Sequence, residues 1–224
     1  MKQFFTNQGY HLGAFLAVGA LLYLAGATLP GGERPLWGLA VRDWVLVSWG
    51  LAGLHQGWVL FFWRMELHFG KISAWLGRGG FLVYRIGFVL VAGARLLLLI
   101  PISHATARTA AIPDTLAVGL IVATTPPILW GLHSVLFRFG LNRAFGADHF
   151  DPAFRGALLE TRGIFRYVPN AMYTVVLLAI YHPGLLWHSG LGLVAAAAHH
   201  ALVWCHYFCT ERPDMREIYG PRTA

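Results

Sequence analysis

The chain has 224 residues, of which 57% are hydrophobic and only 12% charged, and its formal net charge is +7. A soluble globular domain carries about 25% charged residues. With a mean hydropathy of +0.56, that class is excluded and a single integral-membrane domain spanning 1–224 is implied.

Windows of about 20 apolar residues give six spans in chain order. The first runs from about Tyr10 to Leu29. It can also be read as a signal peptide, with Lys2 as the charged end and "AGA" as a cleavage site. Its apolar core exceeds the ~7–15 residues of such segments, so a retained helix is expected. The second span covers roughly Asp43 to Trp63, the third Leu82 to Pro101, and the fourth Thr115 to Phe139. The fifth, about Asn170 to Tyr181, is short, and the sixth runs from about Leu185 to Phe208. Between the last two lies "HPGLLWHSG", which is turn material. Backbone groups in hydrocarbon need internal partners, so the spans are helical. The absence of strand alternation excludes an outer-membrane barrel. The expected fold is an all-α polytopic bundle ending in a helical hairpin. In the fourth span, Pro126 and Pro127 remove two ladder donors and should kink or break the helix.

Alternating six spans across a membrane sorts the cations. Lys2, Arg64, Lys71, Arg78, Arg85, Arg138, Arg143, Arg155, Arg162, Arg166, Arg212, Arg216 and Arg222 share one side. Arg34, Arg42 and Arg108 share the other, and Arg95 falls within the third span, where it could snorkel outward. Thirteen against three is a positive-inside signal. Both termini and the cation-rich face should therefore be cytoplasmic. No basic module stands clear of the membrane, so nucleic acid is not an expected partner, and no protein partner is implied. Cys205 and Cys209, one turn apart, are read as packing residues rather than metal ligands, since a metal site needs a fuller donor set.

The fifth span opens on "RGIFRYVPNAMY", and the sixth closes on "HYFCTERPDMREIYG". A hairpin brings these two polar clusters together. They supply cations, carboxylates, amides and aromatic faces, an inventory suited to a zwitterionic ligand beside a lipid. Gly163, Phe165, Arg166, Tyr167, Asn170 and Tyr173, followed by Glu211 and "EIYG", resemble the C-terminal signature of the integral-membrane methyltransferases. That superfamily holds the phospholipid N-methyltransferases and the isoprenylcysteine carboxyl methyltransferases, and the resemblance is closer to the phosphatidylethanolamine branch. Three positions depart from the usual pattern. Pro169 replaces Arg, Ala171 replaces Pro, and Arg212 replaces the second acid, with Asp214 two residues on.

The resemblance covers about residues 160–220 and implies S-adenosylmethionine as cofactor and a membrane phospholipid as acceptor. It nominates Gly163, Tyr167, Asn170, Tyr173, Glu211 and Arg212 as cofactor-binding residues. Arg166 joins them, because a carboxylate favours a guanidinium. An amine acceptor must lose a proton, and His133, His206, Asp148 and His149 are candidates to take it. His55, Gln56, His199 and His200 also lie within spans, His199 and His200 as expected interhelical hydrogen-bonding residues. Three other readings share parts of this pattern: methylation of an isoprenylcysteine carboxylate or small thiol, an NADPH-dependent sterol-type reductase, and a transporter. The last calls for paired broken helices in two related halves, and only one break is expected here.

Overall fold

The computed structural model describes residues 4–220. Lys2 and Arg222, counted above with the cation-rich side, lie outside the described residues. The helices are α1 Gln8–Thr28, α2 Val41–Phe69, α3 Lys71–Leu76, α4 Gly80–Leu97, α5 Leu99–Ala105 and α6 Asp114–Ser134. They continue with α7 Leu141–Ala144, α8 Ala171–Thr174, α9 His182–Leu186, α10 Gly190–His206 and α11 Arg212–Tyr219. Among the described residues, strand is confined to a two-residue ribbon that joins α1 to α2, Pro35–Leu36 against Leu39–Ala40.

Among the described residues, five helical stretches are long and apolar enough to cross a membrane: Gln8–Thr28, Val41–Phe69, Lys71–Ala105, Asp114–His149 and Gly190–Tyr219. The remaining expected span is the shorter apolar segment Ala171–Leu186. It continues as helix through the stretch expected to turn. Pro183 sits in the first turn of α9, where a missing N–H leaves no ladder bond unmade. The reversal comes at Trp187–Ser189, where His188 takes a φ of 52° and the Ser189 side chain caps α10.

The expected break at Pro126 and Pro127 is corrected. Helix α6 runs through both prolines. Just upstream, the Thr124 and Thr125 hydroxyls donate to Leu120 O and Ile121 O, each at 2.7 Å, which reinforces the turn that feeds the prolines. Irregular winding appears about two turns later, as a π-helical segment Val135–Gly140.

The core lies where α1, α2, α5 and α10 meet. Leu22, Val41, Val45, Trp49, Ala52, Leu99, Ile102, Leu191, Ala195, Ala196 and Leu202 form one buried cluster. Small residues on α10 let the helices approach closely, the usual basis of helix association in membranes. Between α2 and α4, Gly87 has no room for a side chain: a Cβ there would lie 2.4 Å from the Trp58 ring. Arg95 does not snorkel. It is 3% exposed, because its side of α4 packs against α2 and α5 rather than lipid, and its Nε and Nη1 find no hydrogen-bond partner among the described residues. His199 and His200 do bond between elements. His199 Nε2 lies 2.9 Å from Ser48 Oγ, and His200 bridges Tyr181 OH at 3.1 Å and Tyr173 O at 2.8 Å.

At one end of the bundle, Arg64 is fully buried and reaches three segments. Its Nε donates to Asp214 Oδ1 at 3.1 Å and Oδ2 at 3.3 Å. Its Nη1 donates to Phe4 O and Thr6 O at 2.7 and 3.0 Å, and its Nη2 to Cys209 O at 3.2 Å. Arg85 and Arg143 gather at the same end, through Asn142 and Tyr219. Arg34, Arg42 and Arg108 sit at the other, on Ala105 O, Glu33 and Asp114. The helices thus segregate these cations in the two groups expected from their order.

Removing one partner of a buried ion pair strands the other charge, at about 3–5 kcal/mol. Arg64→Met should therefore sharply lower the unfolding midpoint of the detergent-solubilised protein. Arg42→Gln, which breaks only exposed pairs with Glu33 and Asp43, should change stability by less than about 1 kcal/mol. Equal midpoints for the two variants would contradict the assignment.

Candidate active site

The two arms of the C-terminal hairpin close on one cavity at the Arg64 end. On the descending arm, Gly163–Arg166 winds as a tight 3-10 turn. Asn170 then adopts the left-handed conformation, φ 52°, immediately before α8. On the returning arm, α10 widens into a π-helical turn, Tyr207–Glu211, before α11 begins. The Tyr173 hydroxyl donates to Glu211 Oε2 across the gap, so the arms touch through the side chains that the sequence pattern singles out.

The cavity has a volume of about 330 Å³, within the roughly 300–1,000 Å³ of small-molecule sites. Asn170, Tyr173, Glu211 and Arg212 all line it, and so does Asp148 from the loop after α7. Residues that the sequence pattern does not single out also contribute, Phe139, Glu160, Tyr207 and Met215 among them. The two π-helical turns flank it, supplying Phe139 from one and Tyr207 with Glu211 from the other. Wide turns of this kind recur at functional sites because they redirect side chains out of the regular helical register.

Its electrostatics are one-sided. Among the described residues, Asp148, Glu160 and Glu211 face it, with Arg212 as its single guanidinium. Arg212 lies over the Phe208 ring at 6.0 Å. Asp148 is 5% exposed. Its Oδ2 accepts from Tyr219 OH, which in turn accepts from Arg143 Nη2 at 2.8 Å. Its Oδ1 has no hydrogen-bond donor among the described residues and lies 3.6 Å from Arg143 Nε. Glu160 accepts from the Arg162 guanidinium at 2.9 and 2.8 Å and from the Arg162 N–H at 2.8 Å. Those bonds, the guanidinium first, hold its pKa down to about 2.

The other anticipated residues lie elsewhere. Gly163 and Arg166 line a separate opening beside the cavity. Tyr167 is 67% exposed, with its ring 5.7 Å from that of Trp130. His133 is on the exposed face of α6 beside Phe137. His206 is buried between His11 and Trp63. His149 stacks on Trp63 at 4.0 Å and sits 3.6 Å from Asp214. Of the four proton-accepting candidates, only Asp148 reaches the cavity. Cys205 and Cys209 are free thiols with sulfurs 3.9 Å apart.

A multi-pass helical bundle whose last two segments enclose an acidic, aromatic cavity has the layout expected of an integral-membrane methyltransferase. Residues 116–222 match the family model described as phospholipid methyltransferase, PEMT, which supports the integral-membrane methyltransferase superfamily. Every residue lining the cavity falls inside the matched range. No curated protein and no solved structure matches the chain.

Tyr173→Phe keeps the ring and removes the donor to Glu211. Because that carboxylate opens on the cavity, the cost should be about 1 kcal/mol, seen as a modest drop in unfolding midpoint in detergent. Tyr167→Phe, on the exposed face, should leave the midpoint unchanged.

Proposed function

We propose that the protein transfers the methyl group of S-adenosylmethionine to the headgroup amine of a membrane phospholipid, phosphatidylethanolamine or its partly methylated forms. One observation carries this reading: among the described residues, three carboxylates and several aromatic rings surround a cavity that holds a single guanidinium. Such a site favours cationic ligands. A sulfonium and an ammonium both match it, through aromatic faces and carboxylates. An isoprenylcysteine carboxylate acceptor would bring a negative charge to the same place, which this lining disfavours.

The residues fit the cofactor. Asn170, Tyr173 and Glu211 would hold its adenosine and amino-acid parts, and Arg212 its carboxylate. When bound, it supplies an electrophilic methyl group. The chain's own part is placement and proton removal. Tyr173 fixes the orientation of Glu211, and His200 fixes Tyr173 through its carbonyl. Lining up the acceptor atom accounts for much of the rate in a reaction of this kind. Asp148, the one proton-accepting candidate that lines the cavity, accepts the acceptor's proton. Tyr219 and Arg143 hold its carboxylate in place. The excess of cations at this end supports a cavity on the cytoplasmic face, where a soluble cofactor is supplied and the acceptor arrives from the bilayer.

Incubation with methyl-labelled S-adenosylmethionine and total lipid extract should label methylated phosphatidylethanolamine. Glu211→Ala should abolish cofactor binding measured by calorimetry. Label found only in prenylated peptide or small thiols, or full affinity in Glu211→Ala, would overturn the assignment.

The two remaining carboxylates should separate kinetically. General-base assistance contributes about 10²–10⁴-fold, so Asp148→Asn should lower kcat by that order with little change in cofactor affinity. Glu160 has a depressed pKa, so its charge is fully present above the ordinary carboxylate range, near 4.3, and is lost only as pH falls towards about 2. Glu160→Gln should therefore raise the acceptor KM without moving either limb of the pH–rate profile between about pH 5 and 9. A displaced acid limb in that variant would show that Glu160 titrates in the working range.

A further inference from the structure

Beside the cavity lies a second opening of about 500 Å³, lined by Thr161, Arg162, Gly163, Phe165 and Arg166. Thr161 and Phe165 also line the cavity, so the two share a wall. The sign of charge reverses across it. The cavity presents three carboxylates and one guanidinium, whereas the opening presents two guanidiniums and no carboxylate.

Arg162 is partly committed: its Nε and Nη2 are bound by Glu160. Arg166 is exposed, over the Tyr167 ring at 5.9 Å, and among the described residues has no ion-pair partner. Gly163 forms the floor with φ +62°, pressed so close to α6 that a Cβ would lie 2.6 Å from Ser134 Oγ. The stem of Arg138 runs along the same glycine, with Cγ 3.6 Å from that Cβ position. It brings a further cation, also without an ion-pair partner among the described residues, to within a side-chain length of the opening.

The height of this opening identifies its ligand. Tyr167 and Trp130 are 67% and 46% exposed, with their rings 5.7 Å apart beside the same turn. Exposed aromatic residues of this kind mark the headgroup level of a bilayer. An anion presented at that height, next to a site for an amine, is the phosphodiester of a lipid whose headgroup ends in an amine. The two charges of such a headgroup are joined by a two-carbon bridge, and the opening and cavity are joined by one shared wall.

We propose that Arg166, with Arg162 and Arg138 around it, holds the phosphodiester of the acceptor phospholipid while its amine enters the acidic cavity. Guanidinium suits this task because its planar fork can bind two phosphate oxygens at once. The proposal rests on the reading of the cavity as the methyl-transfer site, and it names the group that sets the acceptor's position.

The test compares full-length parent, Arg166→Gln, Arg166→Lys and Arg78→Gln. Arg78 is a cation at the same end of the bundle and lies outside both openings. Each is assayed on phosphatidylethanolamine and on a phosphate-free dialkyl amine lipid. Arg166→Gln should raise the KM for phosphatidylethanolamine about tenfold, the scale of one charge-assisted hydrogen bond. Its kcat, its cofactor affinity and its KM for the amine lipid should stay at the parent's values, Arg166→Lys should recover part of the loss, and Arg78→Gln should match the parent. An unchanged KM, an equal rise for both lipids, or the same effect from Arg78→Gln would overturn the proposal. Retention of labelled phosphatidylethanolamine by the solubilised protein, measured without cofactor, reads the subsite independently of methyl transfer. Equal retention by parent and Arg166→Gln overturns the subsite, whereas retention lost in Arg166→Gln by a protein that methylates neither lipid sustains the subsite and overturns the reaction.

Discussion

A fully buried guanidinium must find partners for its donors or the structure cannot form around it. Arg64 finds them on Asp214, Cys209 O, Phe4 O and Thr6 O. The entry to α1, at one end of the chain, and the wide turn that ends α10 with the helix beyond it, at the other, are thereby fixed to one point of α2. Gln8 strengthens the same junction, donating to Cys209 O and Thr210 Oγ1 at 3.2 Å. Cys209 and Thr210 immediately precede Glu211. The direction in which Glu211 points is thus set from behind, by residues outside the range that matches the phospholipid methyltransferase family.

From that junction the site follows in order. The held turn presents Glu211 to Tyr173, and Tyr173 is held by His200 through its carbonyl. Tyr219, on the helix that Asp214 anchors, restrains Asp148. Each carboxylate at the cavity is held by donors of its own: Glu211 by Tyr173, Asp148 by Tyr219 beside Arg143, and Glu160 by Arg162 on both oxygens. A neutral or apolar lining would give the same volume with no preference for charge.

Much of this was legible in the chain. The apolar windows give the all-α membrane bundle and locate the segments that become its helices. The paired polar clusters give Asn170, Tyr173, Glu211 and Arg212, which do line one cavity. Illegible from the chain was direction. Gly163, Arg166 and Tyr167 belong to the same motif, but a 3-10 turn sends successive side chains to different sides, so they face the opening or lipid. His133 and Arg95 lie at depths that a hydropathy profile reports, yet the profile does not say which face of a helix a residue occupies. His133 faces outward and Arg95 inward. The Arg64–Asp214 pair spans 150 positions, and no local pattern joins its members. Proline's missing donor argues for a kink or a break at Pro126 and Pro127, and the helix runs through both without breaking.

The π-helical turn Tyr207–Glu211 has a consequence of its own. A wide turn holds slack that a regular helix lacks, and here the slack lies between the core of α10 and the residues that face the cavity. Deleting one residue would take up that slack and restore regular winding, leaving α11 near its place but removing the wide turn that presents Tyr207 and Glu211 to the cavity. Phe208 within that stretch is 52% exposed and its side chain is open to exchange. The number of residues there is not: spacing, more than identity, is what heredity has to keep in this turn.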